Sequence, residues 1–257
     1  MAYKIVFFDI DGTLVNHDKR IPPSTKEAIK KLQERDVEVV IATGRAPYHF
    51  KPIGEELGID SFVSFNGSYV VHQGQIVHEN PIGRETLSAL ENIANAYNHP
   101  IVYLGNEKCF SNYEQHPHVI ESFHSLKVSV PGYHPNYWQE TNIYQALLFC
   151  RLHEEDYYKN KVADISLIRW HELSMDVLPS GGSKAKGIEK MLEHLGLSSA
   201  EAVAFGDGLN DKEMLAYVGM GIAMGNAHEE TKPFANFTTK SVDDGGIQYG
   251  LQKIGMI

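Results

Sequence analysis

The sequence predicts an α/β protein: a doubly wound, Rossmann-like parallel sheet that carries a separate, inserted α+β domain. Three observations predict it. Apolar runs that read as buried strands alternate with amphipathic helical stretches at both ends of the chain. The alternation breaks at a hairpin signal around Gln73-Gly74 and is absent through the middle of the chain. It resumes after Ser180-Gly181-Gly182.

The first strand is Ile5 to Phe8, a continuous apolar run that stops at Asp9, as expected of a parallel strand covered on both faces. Pro22-Pro23-Ser24 introduces a helix over 25–35 with Ala28, Ile29 and Leu32 on one face, and a second buried strand follows over 37–42. A helix over 48–57 leads to a third strand over 62–65, then to a hairpin of 68–72 with 75–79. Between 84 and 179 the chain offers a helix over 86–96 and strands over 101–104, 144–151, 164–168 and 173–177. Most of the tyrosines and both tryptophans fall there, and they read as core. Ser183 or a neighbour caps a helix reaching Leu195; strand 202–205, a helix including 214–218, short strands at 221–224 and 234–238, and a helix over 247–254 complete the chain. The expected division is therefore 1–82 with 180–257 as the core, and 83–179 as the insert.

Composition narrows the function. At 257 residues, with 42% hydrophobic and 22% charged residues, the chain suits two ordered globular domains. A formal net charge of -10 repels nucleic-acid phosphates and anionic membrane surfaces, so neither is expected as a partner. No obligatory protein partner is evident. Cys109 and Cys150 are too few for a disulfide scaffold, no apolar run nears the roughly 20 residues of a membrane span, and the start of the chain lacks a leader pattern. The expected compartment is the cytoplasm.

Four features carry chemistry. Asp9 and Asp11 stand two apart at a strand end, where alternate side chains share a face, and Gly12 permits a sharp turn. Two carboxylates so placed suit a metal or a catalytic pair, with a solvated turn as the plain alternative. Thr43-Gly44-Arg45 follows the second strand and offers a hydroxyl and an unhindered N–H to a phosphate, although such turns also arise for conformational reasons alone. Gly206-Asp207-Gly208-Leu209-Asn210-Asp211 packs hard oxygen donors at another strand end. These suit Mg²⁺ better than Ca²⁺, whose loop needs more ligands than Leu209 and Leu215 supply; Asn210 also qualifies as a helix cap. Lys184 stands at a helix start and gains meaning as the cation that balances these acids. His116-Pro117-His118 has no partners that complete a metal site and reads as surface loop.

In order and placement the set resembles the haloacid dehalogenase superfamily, whose motifs are Asp-x-Asp-Gly-Thr, a Ser or Thr after the second strand, a Lys, and Gly-Asp-x-x-Asn-Asp. Here they fall at Asp9 to Thr13, Thr43, Lys184 and Gly206 to Asp211. The insert is similar to the C2 cap of subfamily IIB, and the Cof-type branch is further matched by Phe65-Asn66-Gly67, Ala223-Met224-Gly225-Asn226-Ala227 and Asp243-Asp244-Gly245. One departure is Ser183-Lys184-Ala185-Lys186-Gly187 where the branch has Ser-Lys-Gly, which makes Lys186 a competitor of Lys184.

The resemblance implies a Mg²⁺-dependent phosphatase of small phosphorylated metabolites: sugar phosphates, nucleotides or phosphorylated cofactors. It implies Asp9 as nucleophile and Asp11 as acid and base. It places the metal at Asp9, Asp207 and the backbone carbonyl of Asp11, with Asp211 acting through water or orienting the lysine. Thr43, Gly44, Lys184 and Asn210 would hold the phosphoryl group. The cap would set specificity, with Arg45 and Asn66 either facing its cleft or serving as an ion pair and a turn residue. A phosphosugar mutase and a noncatalytic phosphometabolite sensor are the alternatives.

Overall fold

A computed structural model describes residues 3–125 and 128–257, so the first two residues of the expected core and residues 126–127 of the expected insert lie outside it. Strand β1 (Ile5–Phe8) is followed by α1 (Pro23–Gln33), β2 (Glu38–Ala42), α2 (Pro47–Leu57), β3 (Phe62–Ser64), β4 (Tyr69–His72) and β5 (Gln75–Glu79). Then come α3 (Arg84–Ala96), β6 (Ile101–Leu104), β7 (Cys109–Ser111), α4 (Pro117–Ser125), β8 (Gly132–Tyr133), α5 (Tyr137–Glu140), β9 (Gln145–Leu148), β10 (Ile165–His171) and β11 (Ser174–Pro179). The chain closes with α6 (Lys184–Leu195), β12 (Ala202–Gly206), α7 (Lys212–Tyr217), β13 (Met220–Ala223), β14 (Phe237–Thr238) and α8 (Gly246–Lys253).

Two compact units result: the described residues of Met1–Arg45, His49–Glu79 and Ser183–Ile257 form one, and those of Ala46–Tyr48 and Asn80–Gly182 the other. In the first, eight strands run in the order β14-β13-β12-β1-β2-β3-β4-β5. From β14 to β3 every pairing is parallel, whereas β4 and β5 join antiparallel. This is the predicted doubly wound sheet.

Successive residues of β1 feed opposite faces. Val6 and Phe8 pack with Val203, Phe205 and side chains of α1 and α8; Ile5 and Phe7 pack with Ala202, Ala204 and side chains of α6 and α7. A strand with both faces covered has no polar position, which is why it reads as an unbroken apolar run. Its first polar residues appear where the sheet ends.

The second unit has a six-stranded sheet in the order β10-β11-β9-β6-β7-β8. One face buries Tyr103, Ala146, Leu148, Met175 and Val177 against Leu87, Leu90 and Trp138 of its helices. Outlines differ from the sequence reading in places: the strand expected over 144–151 spans only Gln145–Leu148, that expected over 164–168 runs Ile165–His171, that expected over 173–177 runs Ser174–Pro179, and β7 and β8 were not foreseen. Of the two histidines expected in a loop, His116 lies just before α4 as expected, whereas Pro117 opens the helix and places His118 in its first turn. Among the described residues, no helix is long and apolar enough to cross a membrane.

Candidate active site

Parallel pairing sets the site. Phe8 is in register with both Ile41 and Phe205, so the residues after β1, β2 and β12 emerge side by side at the carboxyl edge of the sheet. Asp9, Thr43 and Asp207 emerge there. The Asp9 N–H donates to Phe205 O at 3.0 Å and the Thr43 N–H to Val63 O at 2.8 Å, which fixes the backbone at both positions.

After Asp9 the chain folds on itself, with Val15 N–H donating to Ile10 O and Gly12 N–H to Val15 O, each at 2.9 Å. Gly12 turns at φ +72°, and a Cβ there would stand 2.2 Å from Asp207 Oδ2. Only glycine allows that approach. The Thr13 hydroxyl donates to Asp207 Oδ1 at 3.0 Å.

Lys184 is fully buried at the start of α6, with Nζ 2.6 Å from Oδ1 of Asp9 and 2.6 Å from Oδ1 of Asp211. Asp211 is equally buried, and its Oδ2 accepts the N–H groups of Asp207 and Gly208, each at 2.8 Å. Both oxygens of Asp211 are thus engaged in holding other groups. Lys186, the competitor, lies exposed and pairs with Glu189 at 3.0 Å. The structure brings Lys184 to Asp9.

Burial drives the Asp9 carboxyl up to about 7 against the opposing pull of Lys184, and Asp211 and Asp207 add to the rise. Asp207 rises to about 6, again chiefly by burial, with the Thr13 hydroxyl opposing. Lys184 moves upward: desolvation opposes its charge, but Asp211 and Asp9 outweigh that penalty. The acids carry more negative potential than one lysine balances. Asp9, Asp207 and Asp211 each bring one oxygen within 4.8 Å of the others, a donor set suited to a hard divalent cation.

Asp11 is placed differently. Its Oδ2 accepts Arg45 Nε at 2.8 Å, and its Oδ1 accepts Arg45 Nη2 at 2.5 Å and Lys19 Nζ at 2.6 Å. Burial pushes this carboxyl up, but the hydrogen bonds from Arg45 and Lys19 prevail and hold it below the usual range. Its side chain is not part of the three-acid cluster.

Thr43 is buried, and its Oγ1 accepts the Arg45 N–H at 3.1 Å. A Cβ on Gly44 would stand 3.0 Å from the Asn66 amide. Asn210 does not cap a helix; its Nδ2 donates to Asn66 Oδ1 at 3.0 Å. Asn226, which the sequence offered only as part of a family-like run, donates from Nδ2 to Gly12 O at 2.8 Å and to Asp207 Oδ2 at 3.4 Å. Its Oδ1 accepts the Val242 N–H at 2.9 Å, so one side chain ties three loops.

Residues 6–251 match the family model of haloacid dehalogenase-like hydrolases. YkrA of Bacillus subtilis (strain 168), which carries a phosphatase name, is 45% identical over 257 residues, covering 100% of both chains. A hypothetical protein of Geobacillus kaustophilus HTA426 has a solved structure that superposes with TM-score 0.97 at 51% identity, over 100% of both chains. The subclass IIB sugar phosphatase BT4131 superposes with TM-score 0.83 at 28% identity, over 99% of this chain and 100% of that one. With motif, fold and full-length similarity agreeing, the chain belongs to the haloacid dehalogenase-like hydrolases, as a phosphatase.

Proposed function

We propose that this protein is a cytoplasmic, Mg²⁺-dependent phosphatase of small phosphorylated metabolites that works through an aspartyl-phosphate on Asp9. The observation that carries the reading is Lys184, buried between Asp9 and Asp211 with Asp207 alongside. A lysine so fully desolvated beside clustered acids marks a site organised around charge, as phosphoryl transfer requires.

Asp9 and Asp207, with the backbone carbonyl of Asp11, would hold the cation. When bound, Mg²⁺ supplies positive charge that offsets the repulsion between carboxylates and phosphoryl oxygens. Asp211 keeps Lys184 pointed at Asp9 and pins the Asp207 loop through two backbone N–H groups. Thr43, Gly44, Lys184 and Asn210 bind the phosphoryl oxygens.

In the first step an Asp9 oxygen bonds to phosphorus, the ester P–O bond breaks, and Asp11 gives its proton to the leaving oxygen. In the second, Asp11 takes a proton from water, the water oxygen bonds to phosphorus, and the Asp9 acyl phosphate bond breaks to release phosphate. Ionised, as Arg45 and Lys19 hold it, Asp11 suits the second step. The first needs a proton on Asp11, so the proposed acid role requires those contacts to loosen with substrate bound.

The sugar phosphatase relative favours phosphorylated sugars, with nucleotides and phosphorylated cofactors as the wider class. The test is a phosphate-release screen over these classes with Mg²⁺, beside Asp9→Asn. Release of phosphate by the unaltered protein and none by Asp9→Asn is expected. Full activity in Asp9→Asn defeats the mechanism, and isomerised product in place of free phosphate shows a mutase.

A further inference from the structure

Phe65 and Asn66 are consecutive non-glycine residues in the left-handed region, at φ +49° and +51°, and Gly67 follows at φ +97°. Such a run costs on the order of 1–3 kcal/mol per strained residue and persists only where its surroundings enforce it. The surroundings here are specific. The Phe65 side chain is fully buried, and its N–H donates to Arg45 O at 3.3 Å. The Asn66 N–H donates to Thr43 O at 3.1 Å. Gly67 lies against the start of α6, where a Cβ would stand 2.0 Å from Ser183 O, one residue before Lys184.

The Asn66 side chain thereby projects between two loops distant in sequence. It packs over Gly44 on one side and accepts Asn210 Nδ2 at 3.0 Å on the other. A relaxed backbone at Asn66 would lose one of these contacts, because the N–H to Thr43 and the side chain to Asn210 are aimed together by the left-handed turn. An amide suits this position because its oxygen accepts from Asn210 without bringing negative charge near a phosphoryl group.

We infer that Asn66 is a positioning residue for phosphoryl binding, which holds Asn210 and the Thr43-Gly44 turn in the spacing that grips one phosphate. The inference rests on the reading of Thr43, Gly44 and Asn210 as phosphate contacts. Asn66 itself acts through Asn210 and the turn.

The test uses inorganic phosphate as a competitive inhibitor of p-nitrophenyl phosphate turnover, with thermal melting run alongside. Asn66→Gly tolerates the backbone geometry and removes the side chain, so its melting temperature should be no lower than that of the unaltered protein. Its phosphate inhibition constant and its KM should both rise about 3- to 10-fold, the worth of one neutral hydrogen bond. Adding Asn210→Ala to Asn66→Gly should weaken phosphate by clearly less than the product of the two single effects, because part of the Asn66 contribution runs through Asn210. Asn66→Asp keeps an acceptor for Asn210, so adding Asn210→Ala to that variant should still weaken phosphate. Unchanged phosphate affinity in Asn66→Gly, or a double variant that loses the product of the two single effects, overturns the inference. An unaltered protein that neither turns over p-nitrophenyl phosphate nor responds to phosphate overturns the underlying phosphatase reading, which separates the two failures.

Discussion

Gly12 and Asp207 meet backbone to carboxylate: the glycine turns at φ +72° with room for no Cβ, because one would stand 2.2 Å from Asp207 Oδ2. Gly12→Ala must therefore either push Asp207 away or abandon the turn. Backbone strain alone costs about 1 kcal/mol or more. Displacing Asp207 should cost about 100-fold or more in turnover, in line with the penalty for a misplaced catalytic group. Steady-state kinetics beside a melting curve checks this, and near-normal turnover in Gly12→Ala would refute the geometry.

Lys184→Met should be far more harmful than Lys186→Met. The first leaves Asp9 and Asp211 buried without their shared cation, a loss of about 3–5 kcal/mol in stability. The second removes an exposed, solvent-screened pair with Glu189 and should leave stability close to that of the unaltered protein. Chemical denaturation of both variants measures the difference, and activity should vanish only with Lys184.

Asp11→Asn should fold normally and fail in proton transfer. The loss should be about 100- to 10,000-fold on substrates with alkoxide leaving groups and smaller in the first step for p-nitrophenyl phosphate, whose leaving group needs little protonation. Rapid-mixing measurement of p-nitrophenol release followed by steady turnover resolves the two steps. Equal losses on both leaving groups in the first step would exclude Asp11 as the acid.

Asp176 should set a pH dependence of stability. Burial raises its carboxyl from 3.8 to about 6, with the hydrogen bond from Gln145 opposing the rise. A raised acid binds its proton more tightly in the folded state, so its contribution is best below about pH 4 and worsens as pH climbs through 6. The cost above pH 6 is at most about 3 kcal/mol. Asp176→Asn should therefore raise the melting temperature at pH 7.5 and leave it unchanged near pH 4. An asparagine there also offers an N–H to the buried Gln145 Oε1, which has no hydrogen-bond partner among the described residues. A variant no more stable than the unaltered protein at pH 7.5 would contradict this.

Chelation should abolish turnover, and Mg²⁺ should restore it. Saturating Mg²⁺ should also stabilise the fold, by about 2.7 kcal/mol at 100 times its dissociation constant, because the ion relieves repulsion among Asp9, Asp207 and Asp211. Asp207→Asn should lose that thermal shift. Its persistence would place the ion elsewhere.

Much of the fold was legible because both faces of the core sheet are covered. Strands such as Ile5–Phe8 and Ala202–Gly206 then appear as apolar runs that stop at an acid, which marks the strand and the site edge together. The choice between Lys184 and Lys186 was not legible from spacing alone. Residues two apart on a helix point about 200° from each other, so both cannot face inward, and which one does is set by tertiary packing. The family-like run around Asn226 gave no sign of what its side chain does, because its partner Gly12 lies at the opposite end of the sequence. Strands β7 and β8 span three and two residues, too few to display a period.

The parallel pairing of Ile5 with Ala202 also has a consequence in time. A ribosome adding about 5–20 residues per second makes the first strand roughly 10–40 seconds before its neighbour exists. Until then β1 is an apolar segment with one flank unpaired, and Asp9 lacks Asp207 beside it. The protein thus cannot carry its proposed nucleophile in working form as a nascent chain; the reactive centre is a product of late, long-range closure, and truncation before β12 should yield no partial activity.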